Sequence, residues 1–300
     1  MTTKMYHLPV EFCYHCGMGK IVPSVDDARA ASDSFDRAYR LWVRAQCSFV
    51  AVALLTALPF VPVLSSWTAL ALALWGPAAM AVLFVVAVRT APATIGNPVP
   101  HILTGLRLVS ATGLLVLTWR IGIETGRWDG GFDELPHMVL SDAQQWWLFA
   151  VLVVAAITDF IDGKVARYLG PKGFGSVWDM ENDSYYALAL SVAAWLTRGV
   201  PAFVLAIGAM RYLYFFVVRA VGDPPDYPPA FKLFSRTVTA TLITVLVAVF
   251  FPPLGLMART IAVAVALALQ LVAFGWDFAL QLRAGNVRLR LARGPRGYDS

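Results

Sequence analysis

A chain of 300 residues that is 58% hydrophobic and 14% charged, with mean hydropathy +0.64, lies far from ordinary soluble domains, in which about a quarter of residues are charged. That balance excludes a soluble globular protein and predicts an all-α integral membrane protein. The net charge of +5 and pI near 9.2 do not require nucleic acid as a partner, because the basic residues lie beside apolar spans, where the positive-inside rule accounts for them.

Residues 1–39 read as a polar cytoplasmic segment, without the basic stretch and apolar core of a signal peptide. Within it, FCYHCGMGK places Cys13 and Cys16 two apart, with His15 between them and His7 upstream. This is half of a structural zinc set, so Zn²⁺ there needs His7 or a second chain to complete it, and two ordinary reduced cysteines in a surface turn are the favoured reading. From Ser24 to Arg44 charges and small apolar residues alternate at helical spacing, the pattern of a helix lying along the membrane face.

Residues 40–92 are predicted to form a transmembrane hairpin, with apolar spans from about Leu41 to Val61 and from Trp67 to Val88. Arg37, Arg40 and Arg44 before it and Arg89 after it place both outer ends in the cytoplasm. The hairpin carries no recognisable chemistry and is expected to pack on the rest of the protein or to form an interface. A Pro- and Gly-rich linker, 90–100, leads into a third span from about His101 to Trp119. Arg107 sits two turns inside that span, where a cation is costly unless it is paired or snorkels to the interface.

The segment 121–144 holds Glu124, Asp129, Asp133, Glu134 and Asp142 and is predicted to be a loop on the outer face. The fourth span, about Gln145 to Arg167, and the fifth, about Gly175 to Leu196, are joined by a short Gly-rich turn. A sixth, about Ala202 to Val221, carries Arg211 and Arg219. Lys232 and Arg236 open the seventh, which ends at Phe251. The eighth runs from about Leu256 to Leu282, and a basic tail, 286–300, follows on the cytoplasmic side, where it can touch anionic lipid. About eight transmembrane helices are therefore expected.

The turn between spans four and five holds the chemistry: DFIDGKVARYLGPKGFGSVWDMEND, Asp159 to Asp183. On one helix Asp159, Asp162, Gly163, Ala166 and Arg167 share a face; on the next, Gly175, Asp179 and Asp183 do. Four carboxylates converging at membrane depth repel one another and resist desolvation, and divalent cations relieve both costs. Hard ions such as Mg²⁺ or Mn²⁺ suit carboxylate oxygens, and a two-metal cluster serves displacement at phosphorus. The glycines and alanine leave bare helix surface for a base or a phosphate.

The spacing D-x-x-D-G-x-x-A-R, seven residues, then G-x-x-x-D-x-x-x-D resembles the signature of the CDP-alcohol phosphotransferase (CDP-alcohol phosphatidyltransferase) family, with all eight positions filled. PHILTGLR is similar to the start of that family's first core helix at Pro100, Thr104 and Arg107, with His101 where Asn is usual. The resemblance implies a six-helix catalytic core over 97–285, preceded here by the extra hairpin. It implies phospholipid biosynthesis by transfer of a phosphatidyl group from CDP-diacylglycerol to an alcohol with release of CMP, and a homodimer in the bacterial cytoplasmic membrane with its site and termini inside.

It further implies that Asp159, Asp162, Asp179 and Asp183 hold two Mg²⁺ or Mn²⁺ ions, and that Asp183 also acts as general base. Thr104, Arg107, Gly163, Ala166, Arg167 and Gly175 would bind the CDP donor. Arg211, Arg219, Lys232 and Arg236 form a candidate phosphate site for the acceptor, favouring glycerol 3-phosphate or inositol phosphate. A free alcohol such as serine, inositol or choline is the alternative. A cation transporter or an intramembrane prenyltransferase would also gather acids; the former would place them in broken helices at mid-bilayer, the latter on distant helices.

Overall fold

The structure, a computed structural model, describes residues 25–57, 62–90, 98–124, 141–169, 174–221 and 227–292. Cys13, Cys16, His7, His15 and most of the acidic loop lie outside the described residues. Among them the chain forms eight helices and no strand: α1 (Val25–Ala57), α2 (Pro62–Thr90), α3 (Pro98–Glu124), α4 (Asp142–Leu169), α5 (Phe174–Arg198), α6 (Val204–Val221), α7 (Pro229–Ala248) and α8 (Leu256–Ala292). The protein is an all-helical membrane protein. Among the described residues, three stretches are long and apolar enough by themselves to cross a bilayer: Trp67–Thr90, Pro229–Ala248 and Leu256–Arg283. α3, α4 and α5 carry the charged motifs, which lower their hydropathy.

The ends of the helices are set by local chemistry. Ser141 and Gln144 form a reciprocal cap on α4: the Ser141 N–H donates to Gln144 Oε1 at 2.9 Å and the Gln144 N–H to Ser141 Oγ at 3.4 Å. Gly199, at φ 67°, takes the left-handed conformation that closes α5. Proline stands at the first turn of α7, where its missing N–H costs nothing.

α5 is the centre of the bundle. From Glu181 to Val200 nearly every residue is buried, and α2, α3, α6 and α7 all pack against it. The outer faces are apolar instead: Leu74, Val109, Val154, Met257 and Val272 are all exposed. A surface of that kind is stable against lipid, with backbone polar groups satisfied inside each helix.

The hairpin is bound into this core, α1 lying on α2 and α6 while α2 packs on α3 and α5. The sequence pattern predicts an interfacial helix to Arg44 and then a span; the structure has one unbroken helix from Val25 to Ala57. Tyr39, Trp42, Cys47, Val50 and Ala53 form a buried stripe along it. Polar groups that favour a membrane surface find partners inside: Trp42 Nε1 donates to the Ala79 carbonyl at 2.6 Å, and Gln46 Oε1 accepts from Trp75 Nε1 at 2.7 Å. α8 likewise continues to Ala292, so Arg288 and Arg290 lie on a helix, while residues 293–300 lie outside the described residues.

At the end of the bundle away from the motif, two arginines absent from the sequence-based reading cap α7. Arg198 donates to Gln145 Oε1 at 2.9 Å and the Phe250 carbonyl at 3.0 Å, and lies 5.5 Å from the centre of the Phe250 ring. Arg259 reaches the carbonyls of Phe251 and Pro252 at 3.3 and 3.4 Å. Cations at the carbonyl end of a helix complement its dipole.

Close approach of α6 to α5 depends on Gly208, where an added Cβ would lie 2.5 Å from the Leu188 Cα. Gly113 in α3 has open space instead. Gly208→Ala is therefore expected to destabilise by about 1–3 kcal/mol through overpacking. Gly113→Ala should be neutral or stabilise by up to about 1 kcal/mol through helix propensity. Thermal unfolding of both variants in detergent measures the difference; equal midpoints would contradict the tight α5–α6 contact.

Candidate active site

Two cross-helix bonds fix the register of α4 against α5. Arg198 meets Gln145, and Tyr186 Oη donates to the Leu152 carbonyl at 3.1 Å. Asp159 follows Leu152 by seven residues, and Asp179 precedes Tyr186 by seven. At 1.5 Å per residue both acids stand about 10 Å along their antiparallel helices from that bond. The two halves of the motif thus share one level and one end of the bundle. The side chains of Asp159, Asp162, Ala166, Arg167 and Arg219 lie outside the described residues; Gly163 and Gly175 are on α4 and α5.

α3 packs on both α4 and α5 and brings Arg107 to this level. Its Nη1 donates to Asp183 Oδ1 and its Nη2 to Asp179 Oδ1. The planar fork spans the one-turn gap between the two acids, a geometry that lysine could not reproduce. Arg107 is 1% exposed, whereas the Asp179 and Asp183 side chains are 41% and 29% exposed. The cation is therefore enclosed, and the acids open outward from it. Thr104, one turn earlier on α3, is also buried.

This donor set fits a divalent cation. Asp179 and Asp183 offer hard oxygen ligands, their side chains already converge within the span of one guanidinium, and both remain accessible. Among the described residues no group of three potential ligands gathers. The other two acids of the motif, Asp159 and Asp162, are on α4, with the backbone of Asp159 level with that of Asp179.

The sequence-based reading missed Glu181, which occupies the opposite side of α5. Its side chain is 5% exposed, and Oε1 accepts from Arg211 Nη2 at 2.8 Å and from Tyr39 Oη at 2.6 Å. A buried carboxylate needs such partners, because burial without them is costly. The available signal was a third acid in an apolar helix, two residues from each motif aspartate and so off their face.

One Nη of Arg211 is thus engaged by Glu181, and its side chain is 38% exposed. Lys232 and Arg236 are exposed one turn apart on α7, and no described contact joins them to Arg211. A second polar cluster links α6 to α8, with Tyr214 Oη donating to Asp277 Oδ2 and Gln281 Nε2 donating to Asp277 Oδ1 at 3.2 Å.

Neither a curated protein nor a solved structure matches the chain. The sequence model of the CDP-alcohol phosphatidyltransferase family matches residues 97–272, from the linker before α3 into α8. That stretch is more than half of the chain and contains the whole arrangement of Arg107 with the α5 acids, so the protein belongs to the CDP-alcohol phosphatidyltransferase family.

Proposed function

We propose that the protein transfers a phosphatidyl group from CDP-diacylglycerol to an alcohol, releasing CMP, in phospholipid synthesis. The observation that carries this is the bridge from Arg107 to Asp179 and Asp183, a compact charge cluster at the level of the α4 half of the motif. When bound, two Mg²⁺ or Mn²⁺ ions held by Asp159, Asp162, Asp179 and Asp183 would neutralise the donor's pyrophosphate and the departing CMP. Thr104, Arg107, Gly163, Ala166, Arg167 and Gly175 would line the site of the CDP group.

The acceptor's hydroxyl oxygen attacks the phosphorus that carries diacylglycerol, and the bond from that phosphorus to the oxygen of CMP breaks. The hydroxyl proton passes to Asp183. Its Oδ1 is committed to Arg107, leaving Oδ2 to take the proton. Asp183 is therefore a catalytic residue in this reading, and Arg107 orients it.

For the acceptor, Lys232 and Arg236 favour a phosphorylated polyol such as glycerol 3-phosphate or inositol phosphate. The compensated charge of Arg211 favours the second reading, a free alcohol such as serine, inositol or choline. The protein is read as a homodimer of the bacterial cytoplasmic membrane, with its site on the cytoplasmic side, where the basic helix ends accumulate.

Asp183→Asn should lower kcat about 10²–10⁴-fold, the usual range for loss of a general base, while the protein still folds. A CMP-release assay with CDP-diacylglycerol and Mn²⁺ measures this, and near-normal turnover would remove Asp183 from the role of base. A panel of acceptors in the same assay separates the two readings. Phosphorylated polyols should react and Lys232→Gln with Arg236→Gln should raise their KM about tenfold or more. Turnover confined to free alcohols would establish the second reading, and no CMP from any acceptor would overturn the proposed activity.

A further inference from the structure

Glu181 lies two residues from Asp179 and two from Asp183. At 3.6 residues per turn its side chain leaves α5 about 160° round the axis from each of them, in opposite senses. The helix is therefore gripped on two faces. In front, Arg107 of α3 holds Asp179 and Asp183; behind, Arg211 of α6 and Tyr39 of α1 hold Glu181.

Tyr39 is itself fixed. It is buried, its ring stacks between Phe35 and Trp42 with centroids 6.0 Å from each, and Trp42 is hydrogen-bonded to α2 through the Ala79 carbonyl. The hydroxyl thus brings the N-terminal hairpin, which lies outside residues 97–272, onto the helix that carries two of the motif acids.

We propose that Tyr39, Glu181 and Arg211 are positioning residues, a rotational lock through which the N-terminal hairpin sets how α5 turns its acidic pair toward metal and substrate. A carboxylate about 5 Å from a helix axis moves about 1.3 Å when the helix turns by about 15°. Misplacement of about 1 Å can cost a catalytic group about a hundredfold in rate. A charge-assisted hydrogen bond on the rear face resists that turn without touching any reactant. The inference rests on the transferase reading above.

The test uses the full-length protein in detergent with Tyr39→Phe, which keeps the stacked ring and removes only the hydroxyl. Mn²⁺ affinity is read from the free-ion EPR signal, and kcat and KM from CMP release. The lock predicts Mn²⁺ affinity weakened about three- to tenfold and kcat reduced by a similar factor. KM for CDP-diacylglycerol should change less than about twofold, and the thermal midpoint by only a few degrees. Glu181→Gln should show the same pattern more strongly, with a larger fall in midpoint.

Parental Mn²⁺ affinity and kcat in Tyr39→Phe would overturn the lock and leave Glu181 as a packing tie. A parent protein that binds Mn²⁺ but releases no CMP with any acceptor would overturn the transferase reading, while the Mn²⁺ titration of Tyr39→Phe would still decide the lock. A parent that binds no Mn²⁺ overturns both.

Discussion

A guanidinium with 1% exposure inside a membrane helix must be neutralised where it stands, and Arg107 meets that condition with two carboxylates from a single helix. Much of the arrangement follows from this contact. It fixes the height of α3 against α5, brings Thr104 to the same end, and requires Asp179 and Asp183 to point in one direction. It also leaves the pair short of positive charge, since two carboxylates face one guanidinium. A divalent cation is favourable beside these two acids because, among the described side chains there, one guanidinium faces two carboxylates.

α5 departs from the usual amphipathic pattern, in which one face is polar and the other apolar. It is polar in front and polar behind, with its buried apolar residues mainly in the following turns, from Tyr185 and Tyr186 through Leu188 to Leu196. A helix of that kind cannot be left open on its rear face in a bilayer, since Glu181 would then meet lipid uncompensated. α6 supplies the cation and α1 the hydroxyl. The N-terminal hairpin is thus part of the covering that a carboxylate at this position needs.

Much of this was legible in the sequence, for identifiable reasons. Asp159 to Asp183 announced itself because carboxylates at i, i+3 and i, i+4 with interleaved glycines are rare in apolar helices. Apolar runs located the eight described helices to within a few residues at most ends, and three of these stretches are long and apolar enough by themselves to cross a bilayer. What stayed hidden depended on partners distant in sequence. Tyr39 and Glu181 are 142 positions apart, and neither residue's local pattern reveals the other. Likewise α1 looked interfacial to Arg44 because its polar residues could not be seen to have Ala79 and Trp75 as partners. The arginines at 198 and 259 were passed over because charge near a span reads as flanking unless the carbonyls it caps are known.

The division of the arginines bears on what the site can accept. Arg107, which is enclosed, and Arg211, which is 38% exposed, are both engaged by acids of α5. Of the candidate acceptor cations whose side chains are described, Lys232 and Arg236 are exposed on α7, which packs on α4, α5 and α8. In the proposed reading, a phosphate on the acceptor would be held from the α7 side, while the reacting hydroxyl would reach the α5 acids. Such an acceptor has to be long enough to present a phosphate and a hydroxyl at separate points, which a polyol phosphate satisfies. In the same reading, a short free alcohol would need only the α5 end. Charge placement thus couples the length of the acceptor to its charge, and the two choices of substrate differ in which helices they use.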